Sequence, residues 1–171
     1  MKTKSPAVGG RYFAYSLSLD PAFRQAAKVD LKAGQPAELP AHELVFRASS
    51  SSWKGRIAGF ERGSGSVQGL LFEVPADAWP QVEAMERGLG AQPVKVMVMS
   101  AGKSVEATAF VPAAAPNDFQ QPVSESFMAR LLTAVNAAQV PEPYRTQLQA
   151  EALILEKVQR FGREHAIGAT R

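Results

Sequence analysis

Apolar and polar positions alternate along the first two thirds of the chain in about six short runs, and then switch to a helical period. From Arg11 to Leu19 (RYFAYSLSL), Tyr12, Ala14, Ser16 and Ser18 fall on one face and Phe13, Tyr15, Leu17 and Leu19 on the other, which predicts a strand. His42 to Ala48, Arg56 to Phe60, Val67 to Val74, Pro93 to Met99 and Val105 to Val111 read the same way. Asp20 before Pro21 sets an N-cap ahead of proline at the first helical position, predicting a brief helix that ends near Ala27. Lys28 to Pro40 is polar and interrupted by Gly34, Pro36 and Pro40, so a surface connection is expected there. The run Arg62-Gly63-Ser64-Gly65-Ser66 predicts a hairpin between its flanking strands, and Ala101-Gly102-Lys103 predicts a second.

Between the two hairpins lies the stretch that concentrates chemistry. Pro75 ends the apolar run of Val67 to Val74, and Asp77 is placed to accept backbone N–H bonds at a helix start. Trp79, Val82 and Met85 then recur at helical spacing, with Glu83 and Glu86 on a neighbouring face and Gly88 closing the turn. A strand and a short helix thus carry Glu86 to the rim of a sheet. Pro112 to Pro122 is irregular and is expected across the barrel surface or the site mouth. From Ser124 the chain reads as helix: Phe127, Leu131 and Val135, with Met128 and Leu132, form one stripe. Val140-Pro141-Glu142-Pro143 interrupts it, and a second helix runs from Tyr144 to about His165 with Leu148, Leu155 and Val158 inward. The expected organisation is a flexible lead over 1–10, one domain over 11–165 and a frayed tail over 166–171. The fold class is α+β, a small, mostly antiparallel β-barrel flanked by helices.

Composition narrows the function. A chain of 171 residues can bury one sizeable core. It has no cysteine, which removes disulfides, thiolate nucleophiles and Cys-based metal sites. His42 and His165 stand far apart in unrelated settings, so neither a His-based metal site nor a Ser/His/Asp triad is supported. The net charge of +3 is small and spread out, without the basic stripe and interleaved aromatics that a nucleic-acid surface needs. The first residues lack the apolar core of a signal peptide, and no run reaches membrane-spanning length. The expectation is a cytoplasmic protein without membrane or nucleic-acid partners.

Tyr12-Phe13-Ala14-Tyr15, followed by a short turn and helix, resembles the opening Tyr-Phe-Ala-Tyr-Gly-Ser-Asn-Leu of gamma-glutamylcyclotransferase-like proteins. Trp53 to Ala58 and Ser66 to Val74 are similar to the family's central hairpin, and Val82-Glu83-Ala84-Met85-Glu86 to the helix bearing its catalytic glutamate. Ser124 to Leu148, with Pro141-Glu142-Pro143-Tyr144, resembles its C-terminal helices. The likeness covers most of the chain in the expected order. It implies a small β-barrel and an enzyme that releases 5-oxoproline from γ-glutamyl peptides or amines, with no metal or organic cofactor. Glu86 would be the catalytic acid/base, and Tyr15, Ser16, Leu17, Ser18 and Leu19 the loop that lines the substrate.

Three departures stand against that pattern. The family's Gly-Ser-Asn reads Ser16-Leu17-Ser18 here, Arg87 replaces the glycine after the catalytic glutamate, and the tyrosine often found shortly after it is absent, the segment reading Gly90-Ala91-Gln92-Pro93. They fit an unusual substrate, or a fold kept for binding a small acidic ligand or a protein partner in the same cavity. Tyr15 is either a core aromatic or a pocket wall, and Ser16 and Ser18 are either plain turn polars or substrate-facing donors. A third class, an interaction module working through the C-terminal helix, rests on the amphipathic pattern of that segment.

Overall fold

The computed structural model describes residues 8–168. The expected lead over 1–10 and tail over 166–171 therefore lie partly outside the described residues. Within them, Val8 to Gly10 already belong to the first strand and residues 166–168 continue the last helix.

Five strands close into a barrel in the order β1-β3-β2-β4-β5. They are β1 (Val8–Ala14), β2 (Gln35–Ser50), β3 (Gly55–Pro75), β4 (Ala91–Ser100) and β5 (Lys103–Pro112). The neighbours pair antiparallel except β1 with β5, which meet in parallel at Tyr12 and Thr108. Four helices surround them: α1 (Pro21–Ala26), α2 (Trp79–Arg87), α3 (Glu125–Ala137) and α4 (Glu142–Gly168).

The principal correction to the sequence reading concerns β2 and β3. Arg62 to Ser66 is not a hairpin turn. It lies inside one 21-residue strand, so the two expected strands are one. β3 instead pairs with β2 from Gln35 opposite Leu71 to Ser50 opposite Gly55, and the turn falls at 51–54. Between Pro40 opposite Ser66 and His42 opposite Arg62, Ala41 alone faces Gly63 to Gly65. That mismatch is a bulge, and it bends the long ribbon round the barrel. A bulge recruits the same Gly and Ser residues as a turn, so composition could not separate the two. The expected connection from Lys28 to Pro40 likewise ends in strand, with Ala37 and Leu39 buried. Pro36 and Pro40 are tolerated there because the outer edge of β2 meets β4 only at Glu38 opposite Met99. The second hairpin forms as expected, turning through Ala101 and Gly102, both at positive φ.

Strand alternation divides the core. Phe13, Tyr15, Leu39, Val67, Val98 and Ala109 fill the barrel, and its outer face, with Tyr12, Ala14, Phe72, Val74 and Phe110, packs against the helices. α2 contributes Val82 and Met85 to that layer, and α3 contributes Phe127, Leu131 and Val135. Ser124 caps α3, its hydroxyl accepting from the Phe127 N–H at 3.1 Å and donating to the Trp53 carbonyl at 2.6 Å. On α4, Leu148 is buried and Leu155 half-buried, but Val158 is exposed; Ala152 and Gln159 continue the inner face instead. The Pro112 to Pro122 segment is fastened to the end of β2, where Asp118 accepts from the amide and hydroxyl of Ser49.

Gly69 of β3 lies so close to β1 that a Cβ would overlap the Ala14 carbonyl oxygen. Gly69→Ala is expected to destabilise the fold by about 2–4 kcal/mol in urea denaturation, because neither backbone can retreat without opening the ladder.

Candidate active site

Glu86 occupies the last turn of α2. Its helix is capped at Ala78, with no side-chain cap, so Asp77 does not take the expected role. The amphipathic spacing decides which residues turn inward: Val82, Met85 and Glu86 are buried. Glu83 remains outside, accepting from Trp79 Nε1 at 3.0 Å and pairing with Arg87 at 3.6 Å. Arg87 therefore points away from the barrel with its neighbour's carboxylate.

The Glu86 carboxylate is only 7% exposed and has a specific reception. The hydroxyl of Tyr12, on the helix-facing side of β1, donates to Glu86 Oε1 and lies 2.6 Å from Ser18 Oγ. Tyr12 and Ser18 are themselves buried. Met85, Phe72 and Phe110 belong to the surrounding apolar layer. Burial raises the Glu86 pKa to about 7, against the opposing pull of the hydrogen bonds from Tyr12 and Ser18. Tyr12 is pushed up in turn, first by its own burial and then by the adjacent carboxylate. A carboxyl group that titrates near neutrality, beside a hydroxyl pair, can both take and return a proton.

The segment after β1 is not strand, as the alternation predicted. Chain extension stops at Ala14, and Leu17–Leu19 form a single 3-10 turn. Its first bonded amide is that of Leu19, which donates to the Ser16 carbonyl at 3.0 Å. The N–H groups of Ser16, Leu17 and Ser18 precede that bond and have no backbone acceptor among the described residues. Arg24 of α1 holds the turn from behind: its Nη1 donates to the Ser18 and Leu19 carbonyls at 2.6 and 3.2 Å, and its guanidinium lies 4.8 Å over the Phe72 ring. Asp20, as expected, caps α1 by accepting from the Ala22 N–H at 2.9 Å.

Of the residues singled out from sequence, Glu86 and Ser18 are brought together directly. Tyr15 is a core aromatic: it is 4% exposed, packs edge-on against Phe60 and donates to the Phe110 carbonyl at 2.6 Å. Leu17 and Leu19 also sit in the core. Ser16 is buried with a hydroxyl that has no partner. Sequence reasoning missed Tyr12 and Arg24. The alternation had placed Tyr12 on the face shared with Ser18, and that was the available signal.

No protein-family model matches the chain, and no curated protein does. Solved structures do match. YkqA from Bacillus subtilis superposes with a TM-score of 0.71 at 20% identity over 88% of this chain. The chain spans 55% of YkqA's length. A structure described as a gamma-glutamyl cyclotransferase matches at TM-score 0.66 and 19% identity, covering 82% of this chain and 86% of its own. An uncharacterized protein from Homo sapiens matches at 0.67 and 18%, with the same two coverages of 82% and 86%. The chain has the gamma-glutamyl cyclotransferase-like fold. No helix among the described residues is long and apolar enough to cross a membrane.

Because the folded-state pKa of Glu86 lies above its unfolded value, the native state binds more protons between pH 4.5 and about 7. The stability due to this group is therefore present below pH 4.5 and lost as pH rises to about 7. Glu86→Gln should accordingly be more stable than wild type at pH 8, by up to about 3 kcal/mol, with the difference vanishing near pH 4. Thermal denaturation across that range measures it. Tyr12→Phe removes a bond that favours the carboxylate, so the midpoint of the pH dependence should move further upward.

Proposed function

We propose that the protein releases 5-oxoproline from a γ-glutamyl amide or peptide, with Glu86 as the acid/base. The single observation behind this reading is a buried carboxylate whose pKa has risen to about 7, in contact with Tyr12 and Ser18. The gamma-glutamyl cyclotransferase-like fold supports the choice of reaction class, and a neighbour bearing that name shares 82% of the chain's length.

In this reaction the α-amine of the γ-glutamyl group attacks its own γ-carbonyl carbon. A C–N bond forms, and the carbonyl electrons move onto oxygen. Ionised Glu86 accepts the amine proton, and the free amides of the 16–18 turn serve as backbone donors for the developing oxyanion. Collapse re-forms the carbonyl and breaks the original C–N bond, while Glu86 returns the proton to the departing nitrogen. Closing a five-membered ring within one substrate removes the cost of bringing two molecules together, so positioning supplies much of the rate. No group beyond the chain's own residues is called for. The loss of Gly-Ser-Asn is offset in part: Ser18 retains a polar side chain at the third position, tied to Glu86 through Tyr12.

Purified protein given a panel of γ-glutamyl amides and peptides should liberate 5-oxoproline from at least one, and Glu86→Gln should lower kcat by 10³-fold or more, on the order expected for loss of a general acid/base. Because ionised Glu86 is the attacking base, kcat/KM should rise with pH through about 7. Turnover that persists in the Gln variant would take Glu86 out of the mechanism. Retained ligand binding without turnover would identify the chain as a non-catalytic member of this fold.

A further inference from the structure

Large apolar side chains left in water are informative only where they gather, because every folded surface keeps a scatter of them. Among the described residues seven are exposed, and four of these stand within nine positions of α4: Leu153, Ile154, Val158 and Phe161. α4 spends its other side on the rest of the chain. Ala152, Glu156, Gln159 and Arg163 border its groove with α3. Gln159 donates to the Val123 carbonyl at 3.0 Å, and Arg163 pairs with Glu125 at 2.9 Å. Ile154, Val158 and Phe161 point the other way, 61%, 63% and 63% exposed, a bare strip on the order of 300 Å². Gln147, Glu151, Ile154, Val158, Phe161 and His165 follow one another at alternating steps of four and three. That is the repeat of a coiled-coil seam, apolar here only in its middle. The His165 ring closes its far end, 3.8 Å from Phe161 between centroids.

We propose that this strip is covered by a second copy of the chain, the α4 helices of the two protomers packing antiparallel along it. Charge selects both the occupant and the direction. With the two-fold axis passing between Gln159 and Arg160, Val158 of each protomer meets the partner's Phe161, and Ile154 meets the partner's His165. Lys157, on the flank of the strip, then faces the partner's Glu164, and symmetry repeats the pair. Both side chains are exposed. Within its own chain Glu164 lies 3.9 Å from Arg160, in a surface pair of the weak kind. Sliding the helices by one heptad sets Lys157 against the partner's Lys157. A parallel pairing sets Lys157 beside the partner's Gly162, which offers no charge. One register alone joins the apolar positions and the opposite charges, and such self-complementarity is what an isologous contact requires. None of these residues belongs to the Glu86 site, so the interface stands apart from the proposed reaction.

Sedimentation equilibrium of the full chain, from about 1 μM to about 1 mM, tests this. Two strips with their flanking stems bury on the order of 1,000 Å², the low end for a specific interface, so a reversible dimer with Kd of about tens of μM is expected. Val158→Glu should abolish association and, the residue being exposed, leave the melting temperature of the monomer nearly unchanged. Lys157→Glu and Glu164→Lys alone each bring like charges together twice and should raise Kd by about tenfold. Combined in one chain they restore opposite charges, and Kd should return to within about threefold of wild type. A chain that stays monomeric to about 1 mM overturns the proposal, including one whose strip takes up a different protein. A dimer indifferent to Val158→Glu overturns it by placing the contact elsewhere. Single charge reversals that the double variant fails to repair overturn the antiparallel register.

Discussion

Taking a carboxylate out of water is among the more expensive things a small fold can do, and here Glu86 is almost wholly withdrawn. The site is organised around how that cost is contained. Tyr12 donates to the carboxylate and Ser18 adjoins Tyr12, but these bonds only partly offset the desolvation, leaving the group poised near neutrality. Fully compensated, the acid would remain ionised and a weak base. Left alone in an apolar layer, it would stay protonated through the physiological range. The balance between burial and two hydroxyls is what makes the position useful for proton transfer.

The barrel exists in the form that balance requires. Tyr12 can reach Glu86 only because β1 presents alternate residues to opposite faces, one set filling the barrel and the other facing α2. β3 runs behind β1 at a separation set by Gly69, and α2 follows β3 directly, so one continuous piece of chain delivers the carboxylate to the hydroxyl. Arg24 then fixes the turn that carries Ser18 by its carbonyls rather than by any side chain, leaving that turn's early amides open. The halves of the site are thus held from opposite sides, by helix packing for Glu86 and by a guanidinium for the loop.

Much of this was legible in the chain. Glu86 stood out because Val82 and Met85 share its helical period, the Asp20-Pro21 cap and the Ala101-Gly102 hairpin follow from local backbone rules, and the Ser124 start of α3 needed only its capping oxygen. Such features are decided within a few residues, where steric and hydrogen-bonding preferences act. The Gly-Ser run at 62–66 was ambiguous for the converse reason: turn and bulge use the same residues, and only pairing with a strand about 20 residues earlier selects between them. The partnership of Tyr12 with Glu86 spans 74 positions, far beyond any local pattern. Local sequence therefore determined which side chains could do chemistry, while tertiary structure decided which of them met, because burial and electrostatic coupling depend on distances in space that no short window of residues contains.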